Sequence, residues 1–276
     1  MQPRLNALFA ALDAAPAPVP FFLRDDDAGW DDATLFALLD RTERAGVPID
    51  LAVIPRAASV ALATSLCVRE RAAPGLIGLH QHGLSHRNHE SQERKCEFGD
   101  ARGIDAQRMD LRAGRDRLHE IFGARIDPIF TPPWNRCGAA TPELLAGLGF
   151  AALSRSRGAP AQQALPELPV DVDWCKQRRL AALQGEDGSE RIGLELARRV
   201  AAGGPVGLML HHAEMNALDL GMLDTVLAAT RRHPHALWRP MRDLLPTHAE
   251  ALRGVQDVPC NIRPGEPDRI GATLTF

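Results

Sequence analysis

Three consecutive carboxylates, Asp25, Asp26 and Asp27, follow a short apolar run. A second apolar run leads into His80, His82, His86 and His89, four of the chain's ten histidines. Adjacent carboxylates repel one another, and burying them without a cation is costly. An aspartate with imidazoles offers the oxygen and nitrogen donors that zinc-type ions take at about 2.0–2.2 Å. One aspartate plus two histidines leaves coordination positions open for water and substrate, as a catalytic site requires. Other polar clusters stand in similar settings: Thr131-Pro132-Pro133-Trp134, Asp173-Trp174 and His211-His212.

The elements that must position these groups alternate between short apolar runs and longer helical patterns. Strands are expected over 19–23, 47–55, 75–83, 127–134, 150–156, 168–174 and 205–210, with a weaker one at 236–240. Helical periodicity separates them, with Asp31 or Asp32 as the cap of the first long helix and Gly46 as its stop. The stretch 84–104 reads as a long polar loop. Strand–helix alternation without a composition break predicts one α/β domain over 1–276, a distorted (β/α) barrel of seven to eight parallel strands, with 255–276 an unassigned tail. No glycine-rich loop follows the first strand, which removes the main signal of a Rossmann or P-loop fold. In a parallel barrel the active site forms at the C-terminal strand ends. The triplet, the histidines, the Pro-Pro turn, Asp173 and His211 all stand at expected strand ends.

Composition narrows the function class. The chain has 276 residues, 45% of them hydrophobic, and a net charge of −3, with no basic patch for nucleic acid and no apolar run for a membrane span. Five scattered cysteines show no CxxC pair and no disulfide framework. The amino-terminal residues lack a continuous apolar segment of the secretory kind, so a cytoplasmic location is expected. The oligomeric state is not legible.

Taken in order, these motifs resemble the NodB-like polysaccharide deacetylases, carbohydrate esterase family 4, in a divergent, intracellular-type form. The resemblance spans residues 21 to 212. Asp25-Asp26-Asp27-Ala28 is similar to the first family motif, which implies Asp26 as catalytic base and Asp27 as metal ligand. His82 and His86 match the HxxxH pair and are implied as the other ligands. Thr131–Trp134 is similar to the third motif, which gives the Trp134 N–H to an oxyanion hole. Asp173-Trp174 matches the fourth, and Leu208-Met209-Leu210-His211 the fifth, implying His211 as general acid oriented by Asp173. The implied cofactor is one divalent ion, zinc first, with cobalt or another first-row ion as alternatives. The implied reaction is removal of an N-acetyl or other N-acyl group from a saccharide or small amide.

The departures define what the structure must resolve. Thr131 stands where the family has an arginine beside the catalytic aspartate, and Arg24 or Arg136 is the candidate replacement. His212 adjoins His211, so the acid is one of the two. Arg24, Pro133, Trp174, Glu97 and His212 are the expected substrate-binding residues, with an ordinary solvated loop as the alternative for Glu97. Two other readings stay open: an amidohydrolase-like enzyme using the His80–His82 pair, and an inactive sugar-binding relic of the same fold.

Overall fold

A computed structural model describes residues 5–92 and 94–245. The tail at 255–276 and Cys260 lie outside the described residues. In chain order the elements are α1 (Asn6–Asp13), β1 (Val19–Ala28), α2 (Asp32–Ala45), β2 (Ile49–Val53), α3 (Val60–Ala72), β3 (Ile77–His82) and α4 (Ile104–Phe122). They continue with β4 (Ile126–Thr131), α5 (Thr141–Gly147), β5 (Ala152–Leu153), β6 (Val172–Asp173), α6 (Trp174–Gln184) and α7 (Gly188–Ala202). β7 (Val206–His211), α8 (Ala217–Arg232) and β8 (Ala236–Trp238) complete the described part.

The strands are parallel in the order β5-β4-β3-β2-β1-β7-β6, curled into a distorted α/β barrel. β1 is its axis. One edge of β1 pairs with β7 over Phe21–Asp26; the other pairs first with β8 over Val19–Phe21 and then with β2 from Arg24 onward. The strand expected over 168–174 is reduced to Val172–Asp173, because Pro169 has no N–H to give a ladder. The residues before β6 instead bridge the gap beside β5. The Leu168 and Val170 N–H groups bond to the carbonyls of Leu153 and Arg155, and Asp171 N–H bonds to Gly207 O.

Side chains alternate between two environments, as the pleat requires. Phe21 and Leu23 join the layer between sheet and helices, with Leu35, Leu38, Leu208 and Leu223. Phe22 faces the barrel interior with Ile129, Ala152 and Met209. A Cβ at Gly207 would lie 2.4 Å from the Phe22 ring, so only glycine leaves room for that ring. The alternation continues past the apolar run. β1 extends to Ala28, not Leu23, and carries the aspartates within the strand. Arg24 and Asp26 therefore point inward and Asp25 outward. α2 is capped by Asp31, whose carboxylate accepts from the Thr34 N–H and hydroxyl, and it ends at Gly46 with φ 63°. No helix among the described residues is long and apolar enough to cross a membrane.

Candidate metal centre and active site

Asp26 and Asp27 are neighbours on a strand and should face opposite sides. They do not, because Asp27 takes a left-handed backbone (φ 72°) where the β1–β2 register slips between Asp25 and Ala28. His82 is the last residue of β3, and His86 (φ 54°) is carried by the following turn. That turn needs Gly83: at φ 58°, a Cβ there would meet Glu97 Oε2 at 2.1 Å and Pro133 Cγ at 2.6 Å. Glu97 is wholly buried and accepts from Leu84 N–H, Ser85 N–H and the Ser85 hydroxyl at 3.2, 2.9 and 2.9 Å. It thus pins the turn that delivers His86. Strained backbone at four residues of the site, Asp27, His86, Trp134 and Asn135, fits a constellation held by its surroundings.

Asp27 Oδ1 lies 3.2 Å from both His82 Nε2 and His86 Nε2. All three donor atoms fall within 4.8 Å of one another. Two ligands bound at about 2.0–2.1 Å in tetrahedral geometry lie about 3.3 Å apart, so the spacing fits. The protonation pattern fits too. His82 Nδ1 faces the Thr131 carbonyl at 3.0 Å, and a carbonyl only accepts, so Nδ1 carries the proton. In neutral His82 the Nε2 lone pair then confronts a carboxylate oxygen; burial disfavours a charged ring but Asp27 raises the His82 pKa, so the contact is satisfied by a proton on Nε2 or by a cation in its place.

Beside this cluster Arg24 grips Asp26 bidentately, Nε to Oδ1 at 2.7 Å and Nη2 to Oδ2 at 2.9 Å. Burial would raise the Asp26 pKa, but the guanidinium, with His82 and His211 nearby, holds it well below the usual carboxylate range. Arg24 is itself anchored by Ser154 Oγ and Asn135 Oδ1. Of the two candidate arginines, Arg24 is the one that reaches Asp26; Arg136 bonds instead to Lys95 O.

His211 is paired in register with Asp26 across β1 and β7, and its Nδ1 is buried without a partner among the described residues. His212 is different. Its Nδ1 meets Asp25 Oδ2 at 2.6 Å, its Nε2 meets Trp30 O at 2.7 Å, and its N–H donates to Asp25 Oδ1. Burial disfavours its charge, but Asp25 outweighs burial and its pKa is pushed up to about 9. Both ring nitrogens and the backbone N–H of His212, expected to bind substrate, are thus engaged within the protein. Asp173 gives its carboxylate to the Lys176 N–H as the cap of α6 and makes no hydrogen bond to His211.

The other expected substrate contacts also lie inside the protein. Trp174 is fully buried, with its indole N–H on Asp219 Oδ1. Pro133 packs against Gly83, and Glu97 and Arg24 are spent on the bonds described above. His80 is buried, with Nε2 on the Thr131 hydroxyl at 2.9 Å, and stands outside the ligand cluster. What reaches the surface is Trp30, 42% exposed, with its ring 4.9 Å from that of His86, and the half-buried Trp134, whose ring lies 4.3 Å from that of His86. Trp30 and Asn135 were not singled out by the sequence, although an aromatic residue just after Asp27-Ala28-Gly29 was the available signal.

No protein-family model and no curated protein matches the chain by sequence. Solved structures do match it. A provisionally assigned polysaccharide deacetylase from Mycobacterium smegmatis superposes with a TM-score of 0.60 at 18% identity, over 92% of this chain and 96% of that one. A family 4 acetyl xylan esterase from Clostridium thermocellum, in complex with a cobalt ion, gives 0.51 at 13%, over 82% and 89%. A CE4 family pseudoenzyme from Bacillus anthracis gives 0.55 at 12%, over 83% and 70%. The chain thus has the NodB-like fold of the family 4 carbohydrate esterases.

Proposed function

We propose that the protein is a metal-dependent N-deacetylase acting on an N-acylated saccharide or related amide. The observation that carries this reading is the convergence of three lone-pair donors, Asp27 Oδ1, His82 Nε2 and His86 Nε2, beside an aspartate kept ionised by Arg24. The two-nitrogen, one-oxygen donor set suits zinc first, and cobalt or another first-row ion as well. Such an ion, when bound, lowers the pKa of water towards about 7 and polarises an acyl carbonyl. Asp26 accepts the proton of the attacking water through its carboxylate. The Trp134 N–H, set by the left-handed turn at 134–135, faces the oxygen that becomes negative. The His211 imidazole gives a proton to the departing amine, and the products are a carboxylate and a free amine. The four described cysteines are free thiols, which suits the reducing cytoplasm.

The relic reading has one structural point in its favour: Arg24 engages both oxygens of Asp26, which weakens it as a base. The deciding test is acetate release from N-acetylated sugars by protein stripped with chelator and then reloaded with zinc or cobalt. One ion per chain is expected, with activity lost on stripping and restored on reloading, and Asp27→Asn should lower metal occupancy. Metal binding without acetate release from any substrate would leave the relic; failure to bind metal would remove the proposal.

A further inference from the structure

We propose that the N-acylated substrate carries an anionic group, a phosphate ester or a carboxylate, held by Arg94, Arg136 and Lys176 in the cleft next to the metal centre. The inference rests on the deacetylase reading and adds the chemical class of its substrate. The cleft has a volume of about 840 Å³ and begins at Trp134, whose ring contacts His86 at a tilt, and Asn135, which anchors Arg24. Among the described residues its wall carries five cationic side chains, Arg94, Arg136, Arg155, Arg157 and Lys176, and two acidic ones, Glu90 and Asp100. The chain as a whole is slightly acidic at −3, so this excess is local.

Not all five are available. Arg155 is paired with Glu167, and Arg157 with Asp171. Asp100 is engaged by the Ala139 N–H at 3.2 Å. Arg94, Arg136 and Lys176 have no carboxylate at ion-pair distance among the described residues, and the Arg136 guanidinium donates to the Lys95 carbonyl. Burial and the nearby Arg94 charge both push the Arg136 pKa down. A bound anion relieves that repulsion, and a guanidinium fork matches phosphate or carboxylate oxygens in pairs. A neutral glycan would leave these cations unmatched.

The test uses the zinc-loaded full chain and the double variant Arg94→Gln/Arg136→Gln. Acetate release is compared for N-acetylglucosamine, N-acetylglucosamine 6-phosphate and N-acetylmuramic acid, and binding of glucose 6-phosphate and of glucose is measured by calorimetry. The ratio of kcat/KM for charged over neutral substrate should exceed about tenfold and drop by about as much in the variant, mainly through KM. Preference for the phosphate or for the muramic acid identifies which anion is read. Glucose 6-phosphate should bind more tightly than glucose, more weakly at high salt, and more weakly to the variant. Equal binding of the two sugars, or glucose 6-phosphate binding unchanged in the variant, overturns the proposal. Loss of phosphate binding in the variant without acetate release from any substrate would retain the anion cleft and reject the deacetylase.

Discussion

Asp26 and Asp50 are both wholly buried inside the same barrel, yet their carboxyls are pushed in opposite directions. At the mouth, Asp26 is held by two nitrogens of Arg24 and stays ionised far below the ordinary range. Near the N-terminal ends of β2 and β4, burial and then the neighbouring Asp127 push Asp50 up to about 8, opposed by the Met241 N–H and by the charge of Arg242, which makes no ion pair with it. Burial likewise raises Asp127 to about 6, opposed by Arg242 at 3.5 Å. Burial disfavours charge at both ends; the difference is whether a cation reaches the carboxylate in good geometry. The barrel keeps charge at the C-terminal strand ends, beside the Asp27, His82 and His86 cluster, and keeps a proton at the opposite end.

The sharpest way to probe this contrast is Asp26→Asn. The amide keeps the shape and cannot take a proton from water, so acetate release should drop by about 10²- to 10⁴-fold with metal content retained. Equal losses of metal and rate would mean that Asp26 is a ligand, not a base. Next comes Arg24→Gln, which leaves Asp26 buried without its counter-ion. Breaking a buried pair costs about 3–5 kcal/mol, read as a lower urea midpoint at neutral pH. A change below about 1 kcal/mol would show that Arg24 is not what keeps Asp26 charged.

A smaller loss is expected for Asp25→Asn, because two backbone and ring contacts survive around His212. The folded pKa of His212 is about 9 against an ordinary 6.5. The stability it contributes is fully present below pH 6.5 and is lost as pH rises through about 9. The variant should lose about 2 kcal/mol at pH 6 and less at pH 10, and a pH-independent loss would contradict the imidazolium. The smallest effect is expected for Asp50→Asn. Asp50 binds a proton in the folded state between its ordinary 3.8 and about 8, so wild-type stability falls as pH rises through that window. The variant should remove about 1–2 kcal/mol of that fall between pH 5 and pH 8, and an unchanged slope would place the proton elsewhere.

The fold class and the three donors Asp27, His82 and His86 were legible because residue type and strand order are written in the sequence. Which way a side chain faces was not. Arg24 and Asp26 lie two apart and share the interior, whereas Asp25 turns outward to His212, and a left-handed residue that no pattern announces brings Asp27 back to the site. The same blindness explains why all five expected substrate contacts are interior groups: a polar residue near a strand end looks alike whether it lines a cleft or braces a loop. Glu97 is the clearest case, since a buried carboxylate serving three donors reads in sequence as one more charge in a polar loop.

That carboxylate has a consequence for how the protein can change. Leu84 and Ser85 are tied to Glu97, His89 N–H is tied to Cys96 O, and Cys96 N–H is tied to Asn88 Oδ1. The stretch from Glu90 to Cys96 is therefore tied at its two ends. Its length and composition can be redrawn at little cost in closure entropy, since that cost grows only slowly with loop length. Arg94 belongs to this stretch and His86 does not, so the cation proposed to read the anion can be exchanged without moving a donor atom of Asp27, His82 or His86.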